Sequence, residues 1–259
     1  MAESYFEGKT VFLTGASSGI GAEMAVQMAR KGAIPGLLAR RESELEKVAE
    51  SVRSAGGEAR VFSADVTDAG AVRAAADEFR YEYGRIDILI ANAGIGGNNR
   101  ETQMVDPEAV AKVININLLG SVNSVAAVLP EMLEKGSGHL VAVSSLAGYR
   151  GLPKSAAYSG SKAGMNAFFE GLRVDFGPRG IDVSVIAPGF IKTPLTSGRK
   201  TKLPFLLETE DGAARIVRAI EKKKKFHAFP WQLATIVRLA SFLPPSLYDR
   251  FAGSARYRE

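Results

Sequence analysis

A tyrosine and a lysine four residues apart, Tyr158 and Lys162, are the residues whose types and spacing most directly suggest chemistry. On a helix this spacing places both side chains on one side, one turn apart. A lysine cation beside a phenol favours the phenolate, so we expect it to lower the pKa of Tyr158 from its ordinary value of about 10. Such a tyrosine could transfer a proton near neutral pH. Taken alone, the pattern is also that of an ordinary helical turn.

The elements that must position this pair alternate regularly along the chain. From Thr10 to Ile191, short apolar runs rich in β-branched residues alternate with longer amphipathic stretches, a pattern typical of βα units on a parallel sheet. Because ligands bind beyond the carboxyl ends of the strands in such sheets, we expect the functional residues at that edge. The predicted strands are residues 10–14, 33–39, 59–63, 86–91, 139–143, 181–187 and a short strand within 226–230. The predicted long helices are residues 107–133 and 158–176.

The first predicted strand runs directly into a glycine-rich stretch with the spacing G-x-x-x-G-x-G, which a helix follows. A sharp turn from a strand into a helix places backbone N–H groups where they can hold a pyrophosphate. The spacing is wider than the common dinucleotide fingerprint G-x-G-x-x-G, and a generic glycine loop is the alternative. The residues of this stretch are Gly15, Ala16, Ser17, Ser18, Gly19, Ile20 and Gly21.

The end of the second strand bears on the choice of cofactor. An NAD-binding protein places an acidic residue about 20 residues beyond the glycine loop, where it binds the ribose 2′-hydroxyl. Here Ala39 is followed by Arg40 and Arg41, whose charges suit a 2′-phosphate. We therefore predict NADP(H) over NAD, the alternative being arginines exposed at the start of the next helix. Pro35 and Gly36 are unusual in a strand, and we expect them to weaken its beginning.

Other polar residues also follow predicted strands. Asp65 could accept a hydrogen bond from the adenine amine or cap a helix, although Asp68 is better placed as the cap. Asn92 could brace the sheet and Gly94 could let backbone approach a cofactor, or the two could form a plain turn. His139 begins the fifth strand, at the edge away from chemistry, and we assign it a structural role.

The motifs T-G-x-x-x-G-x-G, N-A-G, Y-x-x-x-K and P-G occur in that order between residues 10 and 193. In this combination the sequence resembles the short-chain dehydrogenase/reductase family. The resemblance implies an α/β fold consisting of one Rossmann domain over residues 1–259, with a doubly wound parallel sheet of about seven strands and helices on both faces. It also implies hydride transfer between NADP(H) and a ketone or secondary alcohol.

The resemblance assigns roles to individual residues. Tyr158 would donate the proton, Ser145 would stabilise the negative oxygen, and Lys162 would assist Tyr158 and hold the nicotinamide ribose. Asn117 would hold a water that relays protons, and Thr193 would bind the carboxamide. Ser145 is preferred to Ser144 because the family serine is usually the second of such a pair. The catalytic residues implied are Asn117, Ser145, Tyr158 and Lys162. The cofactor-binding residues implied are Gly15, Ser17, Ser18, Gly19, Ile20, Gly21, Arg40, Arg41, Asp65, Val66, Asn92, Ala93, Gly94, Tyr158, Lys162, Pro188, Gly189 and Thr193.

Composition limits the other classes of function. The chain has no cysteine and two histidines, so we expect neither disulfides nor a metal site. An acidic N-terminus and the lack of a long apolar run favour a cytoplasmic protein. The net charge is +5, and much of the basic excess lies late, in the run 222–225. We interpret this run as a solvated basic turn and expect no nucleic-acid partner, although an anionic cofactor or membrane surface would explain it equally well.

Two segments bear on substrate and partners. Residues 190–210 are predicted to form a substrate lid, and residues 231–259 to form a helical extension with apolar stretches and scattered arginines. The extension resembles those of hydroxysteroid and lipid-ketone reductases, which suggests a lipid-like, steroid-like or 3-oxoacyl substrate. It could instead touch a membrane surface, contact a second subunit or add a core layer. The family commonly forms homodimers or homotetramers, which we expect here. A catalytically silent NADP(H) sensor or scaffold is the alternative function.

Overall fold

The computed structural model describes residues 4–96, 105–197 and 203–254. Strands and helices alternate through most of the chain, and two helices follow the last strand. The strands are β1 (Thr10–Thr14), β2 (Ile34–Ala39), β3 (Arg60–Ser63), β4 (Ile88–Ala91), β5 (Gly138–Val143), β6 (Ile181–Pro188) and β7 (Phe226–Phe229). The helices are α1 (Gly19–Ala29), α2 (Glu42–Ser54), α3 (Ala69–Tyr83), α4 (Pro107–Ile114), α5 (Gly120–Lys135), α6 (Ala156–Phe176), α7 (Thr209–Glu221), α8 (Trp231–Ser241) and α9 (Pro245–Ser254).

The sheet is parallel, with seven strands in the order β3-β2-β1-β4-β5-β6-β7. This confirms the predicted doubly wound Rossmann fold. Each face of the sheet carries its own buried apolar cluster: Met24 and Ile216 belong to one, Phe79 and Phe169 to the other. The strand order reverses between β1 and β4. Ligands bind in the crevice at such a switch point, so the topology directs attention to the ends of these two strands.

The expected weakening of β2 is wrong. The strand pairs with β1 in continuous register from Ile34, whose N–H donates to the Lys9 carbonyl at 2.8 Å. Backbone N–H groups alternate in direction along a strand, so the missing donor of Pro35 falls on the side of β3. Pairing with β3 begins one residue later, at Gly36, so no ladder bond is lost. A Cβ at Gly36 would lie 3.1 Å from the Phe79 ring, so glycine lets α3 pack closely on the sheet.

The helix predicted at residues 107–133 is not regular. It consists of α4, a π-helical turn over Asn115–Leu119, and α5. A π-turn widens the helix locally and is frequent at functional sites. By length and composition alone, the 29-residue segment Pro107–Lys135 could cross a membrane, although we expected no such segment. In this fold it packs on the sheet, with Val128 and Met132 in the buried cluster.

The C-terminal extension forms helices α8 and α9 outside the sheet, and Arg150 attaches it to the rest of the fold. The Arg150 guanidinium donates to the carbonyls of Ala240, Ser241 and Leu243 at 2.8, 3.3 and 2.7 Å. It also lies 3.8 Å from the ring centroid of Tyr248. Helix α8 has no buried residue, so this helix does not add a core layer.

The structural role assigned to His139 is confirmed. Its ring is 1% exposed, with Nδ1 2.9 Å from the Tyr5 hydroxyl and Nε2 2.8 Å from the Ser184 hydroxyl. Burial lowers the pKa of His139 from 6.5 to about 4. The imidazole therefore stays neutral in the folded protein over a pH range in which it is protonated in the unfolded chain.

Because the pKa of His139 falls on folding, stability should be lost as the pH decreases from 6.5 to about 4. We expect this residue alone to account for a loss of about 3 kcal/mol in the free energy of unfolding over that interval. Urea unfolding of the wild type and of His139→Asn at several pH values measures this loss in the free energy of unfolding. The difference between the two proteins should shrink as the pH falls, and a pH-independent difference would contradict the assignment.

Candidate active site

The glycine-rich stretch after β1 forms a tight turn into α1. Gly15 and Gly19 have φ values of +68° and +57°, which side chains disfavour. A Cβ on Gly21 would lie 2.3 Å from the Gly15 carbonyl oxygen, so the start of α1 crosses directly over the turn. Ser18 occupies the N-cap position with extended backbone and makes no side-chain cap hydrogen bond. The first-turn N–H groups are thus suited to an anion.

Asn92, directly after β4, braces this turn. Its Nδ2 donates to the carbonyls of Thr14 and Gly15 at 3.0 and 3.2 Å. In return, the Thr14 hydroxyl accepts from the N–H groups of Asn92 and Ala93, both at 3.1 Å. The bracing role predicted for Asn92 is confirmed. These bonds hold the ends of β1 and β4 together at the switch point of the sheet.

The two arginines after β2 reach different partners. Arg41 donates to the hydroxyls of Ser17 and Ser18 at 3.1 and 3.2 Å, a link to the glycine loop that the sequence did not reveal. Arg40 lies 3.7 Å from Asp65, and its side chain is 62% exposed. Both guanidinium groups therefore lie at the edge of the predicted ribose site, where they supply positive charge.

Asp65 shapes the turn after β3. One of its carboxylate oxygens accepts from the N–H and the hydroxyl of Thr67, both at 2.9 Å. The backbone hydrogen bond from Thr67 is the main cause that lowers the pKa of Asp65. Asp68, not Asp65, caps α3 by accepting from the Ala71 N–H at 3.0 Å, as predicted. Val66 packs against Gly120, where a Cβ would lie 2.6 Å from a Val66 methyl group.

The π-turn places the Asn117 side chain, fully buried, between the end of β4 and α6. Its Oδ1 accepts from the Ile95 N–H at 2.8 Å, and its Nδ2 donates to the Ile95 carbonyl and the Ser161 hydroxyl, both at 3.0 Å. Ser161 donates in turn to the Tyr158 carbonyl at 2.7 Å. Asn117 therefore joins the loop after β4 to the turn of α6 that carries Tyr158. Ser161 lies between the motif residues Tyr158 and Lys162, but its role was not predicted from the sequence.

Lys162 lies on α6 one turn beyond Tyr158, as the spacing predicted. Its Nζ is 5.9 Å from the Tyr158 ring centroid and donates to the Val143 carbonyl at the end of β5, at 2.9 Å. The residue is 3% exposed, and burial lowers its pKa to about 8. A Cβ on Gly94 would lie 3.7 Å from Nζ, so the loop after β4 closes over the amine.

The two serines after β5 have different surroundings. Ser144 is buried and donates to the Lys162 carbonyl at 3.3 Å, so it fastens α6 to the sheet. The hydroxyl of Ser145 is only partly buried and accepts from the Ala147 N–H at 3.1 Å. Because that bond uses an oxygen lone pair, the Ser145 hydrogen is available to a ligand. The geometry thus favours Ser145 over Ser144 as the functional serine.

The segment after β6 approaches the glycine loop. The position of a Cβ on Gly19 lies 3.3 Å from the Thr193 methyl group, so these two sequence-predicted residues come together. Gly189 donates to the Phe229 carbonyl at 2.7 Å, which ties the end of β6 to β7. Pro188 is the last residue of β6.

The ends of the predicted lid are joined. Lys192 donates to the Leu207 carbonyl at 2.9 Å, and Leu207 donates to the Phe190 carbonyl at 3.0 Å. The middle of the lid, residues 198–202, lies outside the described residues, as do residues 97–104 after β4. The lid itself therefore stays a prediction.

Apolar side chains border the catalytic edge. Leu233 of α8 and Leu146 lie 3.0 and 3.4 Å from the position of a Cβ on Gly189, and Leu195 lies 3.3 Å from that on Gly96. The extension thus contributes Leu233 next to the residues that follow Ser145. Leu233 and Arg150 were missed in the sequence because their partners are distant in the chain.

Comparison with known proteins identifies the family. A family model described as short chain dehydrogenase matches residues 9–204. An uncharacterized oxidoreductase of Myxococcus xanthus is 40% identical over 256 residues, which span 99% of this chain and 100% of that protein. The chain belongs to the short-chain dehydrogenase family. The fold of this family implies that the cofactor is a nicotinamide nucleotide, either NAD or NADP.

Two further relatives of this short-chain dehydrogenase carry more specific names. A ketoacyl reductase of Nostoc is 34% identical over 220 residues, which cover 83% of this chain and 76% of that protein. The crystal structure of levodione reductase superposes with a TM-score of 0.81 at 27% identity, covering 89% of this chain and 99% of that one.

Among the described residues of our chain, no group of three or more His, Cys, Asp or Glu side chains could hold a metal ion.

The buried amine gives a test of this geometry. Since the pKa of Lys162 falls from 10.5 to about 8 on folding, stability should increase as the pH rises from 8 to 10.5, where the unfolded chain binds more protons. We expect the wild type to gain about 3 kcal/mol relative to Lys162→Met over that interval. Denaturant unfolding of both proteins at several pH values measures the gain. Parallel pH profiles would show that Lys162 is solvated.

Proposed function

We propose that the protein is an NADP(H)-dependent carbonyl reductase that interconverts ketones and secondary alcohols. The observation that carries this proposal is the arrangement around Lys162. Its buried amine lies between Tyr158 and the end of β5, at the same edge of the sheet as the glycine loop. Ser145 and Asn117 lie at that edge, so all four catalytic candidates meet where the fold accommodates a ligand.

The residues present fit a nicotinamide dinucleotide. The turn from β1 to α1 is so tight that a Cβ at Gly15 would lie 2.7 Å from Ala93, so a side chain at this position would clash. The N–H groups at the start of α1 would hold the pyrophosphate, and Thr193 would hold the nicotinamide end. When bound, the cofactor supplies or accepts the hydride. We assign the remaining cofactor-binding residues as predicted from the sequence.

In the reductive direction, the substrate carbonyl carbon gains a hydride and its oxygen gains a proton. The Ser145 hydroxyl donates a hydrogen bond to that oxygen and stabilises its growing negative charge. Tyr158 then transfers its phenolic proton to the oxygen as general acid. The oxidised substrate is thereby converted to an alcohol, and Tyr158 is left as a phenolate.

Lys162 compensates for the negative charge on Tyr158. Its ammonium group stands beside the phenol in a site from which most water is excluded, and the interaction of two charges is strong there. One of its three donors is used by the Val143 carbonyl, and a second contacts the weakly accepting sulfur of Met165 at 3.7 Å. The ribose and a water would bind the remaining donor and replace the sulfur contact. Asn117 contributes by positioning its neighbours, because both of its amide hydrogens are already donated, one to the Ile95 carbonyl and one to the Ser161 hydroxyl. A relay water would therefore use its remaining oxygen lone pair.

We further propose a largely apolar carbonyl substrate. Leu146, Leu195 and Leu233 border the site, and the ketoacyl and levodione reductases named above are relatives in sequence or structure. A lipid-like or 3-oxoacyl substrate would match these walls, and a steroid-like compound is a further candidate.

We also propose that the protein forms a homodimer or homotetramer through the long helices. Leu119, in the π-turn, and Val174, on α6, are 47% and 68% exposed on the helices that carry Asn117 and Tyr158. Burying such residues against a second copy is favourable. Peripheral membrane contact through the extension and a cytoplasmic location stay predictions.

The catalytic proposal is tested by replacing the proton donor. Tyr158→Phe retains the ring and its packing but has no proton to transfer, so NADPH consumption with the best of a panel of ketones and 3-oxoacyl esters should fall by about 10³-fold or more. Fluorescence titration should show NADPH still bound. As a control, Tyr81→Phe removes a hydroxyl from a side chain that is 93% exposed and should leave the rate unchanged. Equal rates for Tyr158→Phe and the wild type would refute the mechanism, and binding without turnover in the wild type would leave a silent NADP(H)-binding protein.

The cofactor preference is tested at the end of β2. Arg40→Ala and Arg41→Ala each remove a charged donor for the 2′-phosphate, so affinity for NADPH should fall about 10- to 100-fold while affinity for NADH changes little. Arg53→Ala, on the exposed side of α2, is the matched control. Affinities follow from quenching of protein fluorescence by each cofactor. Equal losses for NADPH and NADH in the Arg40 and Arg41 variants would count against the 2′-phosphate contact.

A further inference from the structure

A second concentration of charge lies away from the glycine loop, beside the edge strand β7. A cavity of about 500 Å³ lies against one face of α7 and the turn that leads into β7. Four cationic side chains and one histidine line it, together with a single acid and two small residues. The lining residues are Asp211, Ala214, Arg215, Arg218, Ala219, Lys222, Lys224 and His227.

Cations just outside the cavity are paired with acids. Lys31 contacts Glu221 at 3.1 Å, and Lys223 contacts Asp182 at 2.6 Å. The four cations that line the cavity differ from Lys31 and Lys223 in their lack of such partners among the described residues. Within residues 4–96, 105–197 and 203–254, they form no ion pair and donate no side-chain hydrogen bond. These four residues are Arg215, Arg218, Lys222 and Lys224.

His227 lies in the cavity, where the electrostatic field of the neighbouring cations acts on it. Its ring stacks on Phe229, with centroids 5.5 Å apart, which fixes it on the side of β7 that faces α7. Burial lowers the pKa of His227, and the charges of Lys224 and Arg215 lower it further. Asp211 is the one acid of the lining, against four cations. An excess of like charge that no protein group compensates favours the binding of an anion.

The cavity is separate from the predicted dinucleotide site. Gly19 opens α1 at the glycine loop, whereas Lys31 follows the far end of this 11-residue helix. An α-helix of that length spans about 16 Å. Because Lys31 pairs with Glu221 at the end of α7, the neighbouring Lys222 lies at the opposite edge of the sheet from the glycine loop. An anion bound there is not the pyrophosphate of the cofactor.

We propose that this cavity is a second anion site, which binds a phosphate-bearing group with at least two negative charges. Guanidinium groups match phosphate oxygens in a bidentate geometry, and lysines add point charges. Besides the five charged side chains, the lining has His227 and two alanines, so cationic groups outnumber acids by four to one. A free polyphosphate and an anionic lipid headgroup carry the same chemistry. The site does not depend on the function proposed above.

The chain has two histidines, which makes proton NMR a direct probe of the cavity. A bound polyanion should favour protonated His227 and raise its pKa by about 1 unit. Buried His139, outside the cavity, is the internal control and should not change. The probes are inorganic tripolyphosphate and, in a second arm, vesicles containing phosphatidylglycerol, with vesicles of phosphatidylcholine for comparison.

The double variant Arg218→Gln/Lys222→Gln removes two charges from the cavity. The matched variant Lys47→Gln/Arg53→Gln removes the same charge from exposed α2. Calorimetry should show that only the first loses tripolyphosphate affinity, by about 10-fold or more, while both retain NADPH consumption. A response to tripolyphosphate supports a soluble ligand, and a response to anionic vesicles alone supports a lipid headgroup. No shift of His227 with either probe, or equal losses in the two double variants, would overturn the proposal.

Discussion

The burial of one amine is the constraint on which this site depends. Lys162 is almost fully inaccessible to water, yet the proposed mechanism requires a cation beside Tyr158. Taking a charged amine out of water is unfavourable unless polar groups surround it. Here the Val143 carbonyl accepts from it directly, and Ser144 fixes the Lys162 backbone. The ends of β5 and α6 are therefore held together by the same groups that keep the charge in place.

The surrounding elements can be understood from this requirement. The loop after β4 must come close enough to close the site, and Asn117 holds it there through two hydrogen bonds to Ile95. The π-turn provides the space for Asn117, and Gly120 just beyond it lets the helix approach Val66. On the other side, Asn92 ties the same loop to the glycine turn. The proposed catalytic residues and the proposed cofactor loop are thus both anchored on the short segment that follows β4.

Much of this arrangement was predictable from the sequence. The apolar periodicity located the strands to within one or two residues, and strand ends indicated which polar residues would share an edge. The spacing of Tyr158 and Lys162 predicted their common helical face. The contacts that could not be predicted join residues far apart in the chain, such as Arg41 with Ser17, or Tyr5 with His139. Propensity also misjudged β2, because whether a proline harms a strand depends on where the neighbouring strand begins.

The attachment of the C-terminal helices has a consequence for recombination between relatives. Arg150 belongs to the loop between Ser145 and Tyr158, and it binds the backbone at the end of α8. The recognised groups are carbonyls, so the sequence of α8 itself can vary while the attachment persists. The arginine cannot vary in the same way. A chimera that received this extension without its loop arginine would lose these hydrogen bonds and the contact with Tyr248, whereas a loop and tail transplanted together would keep them.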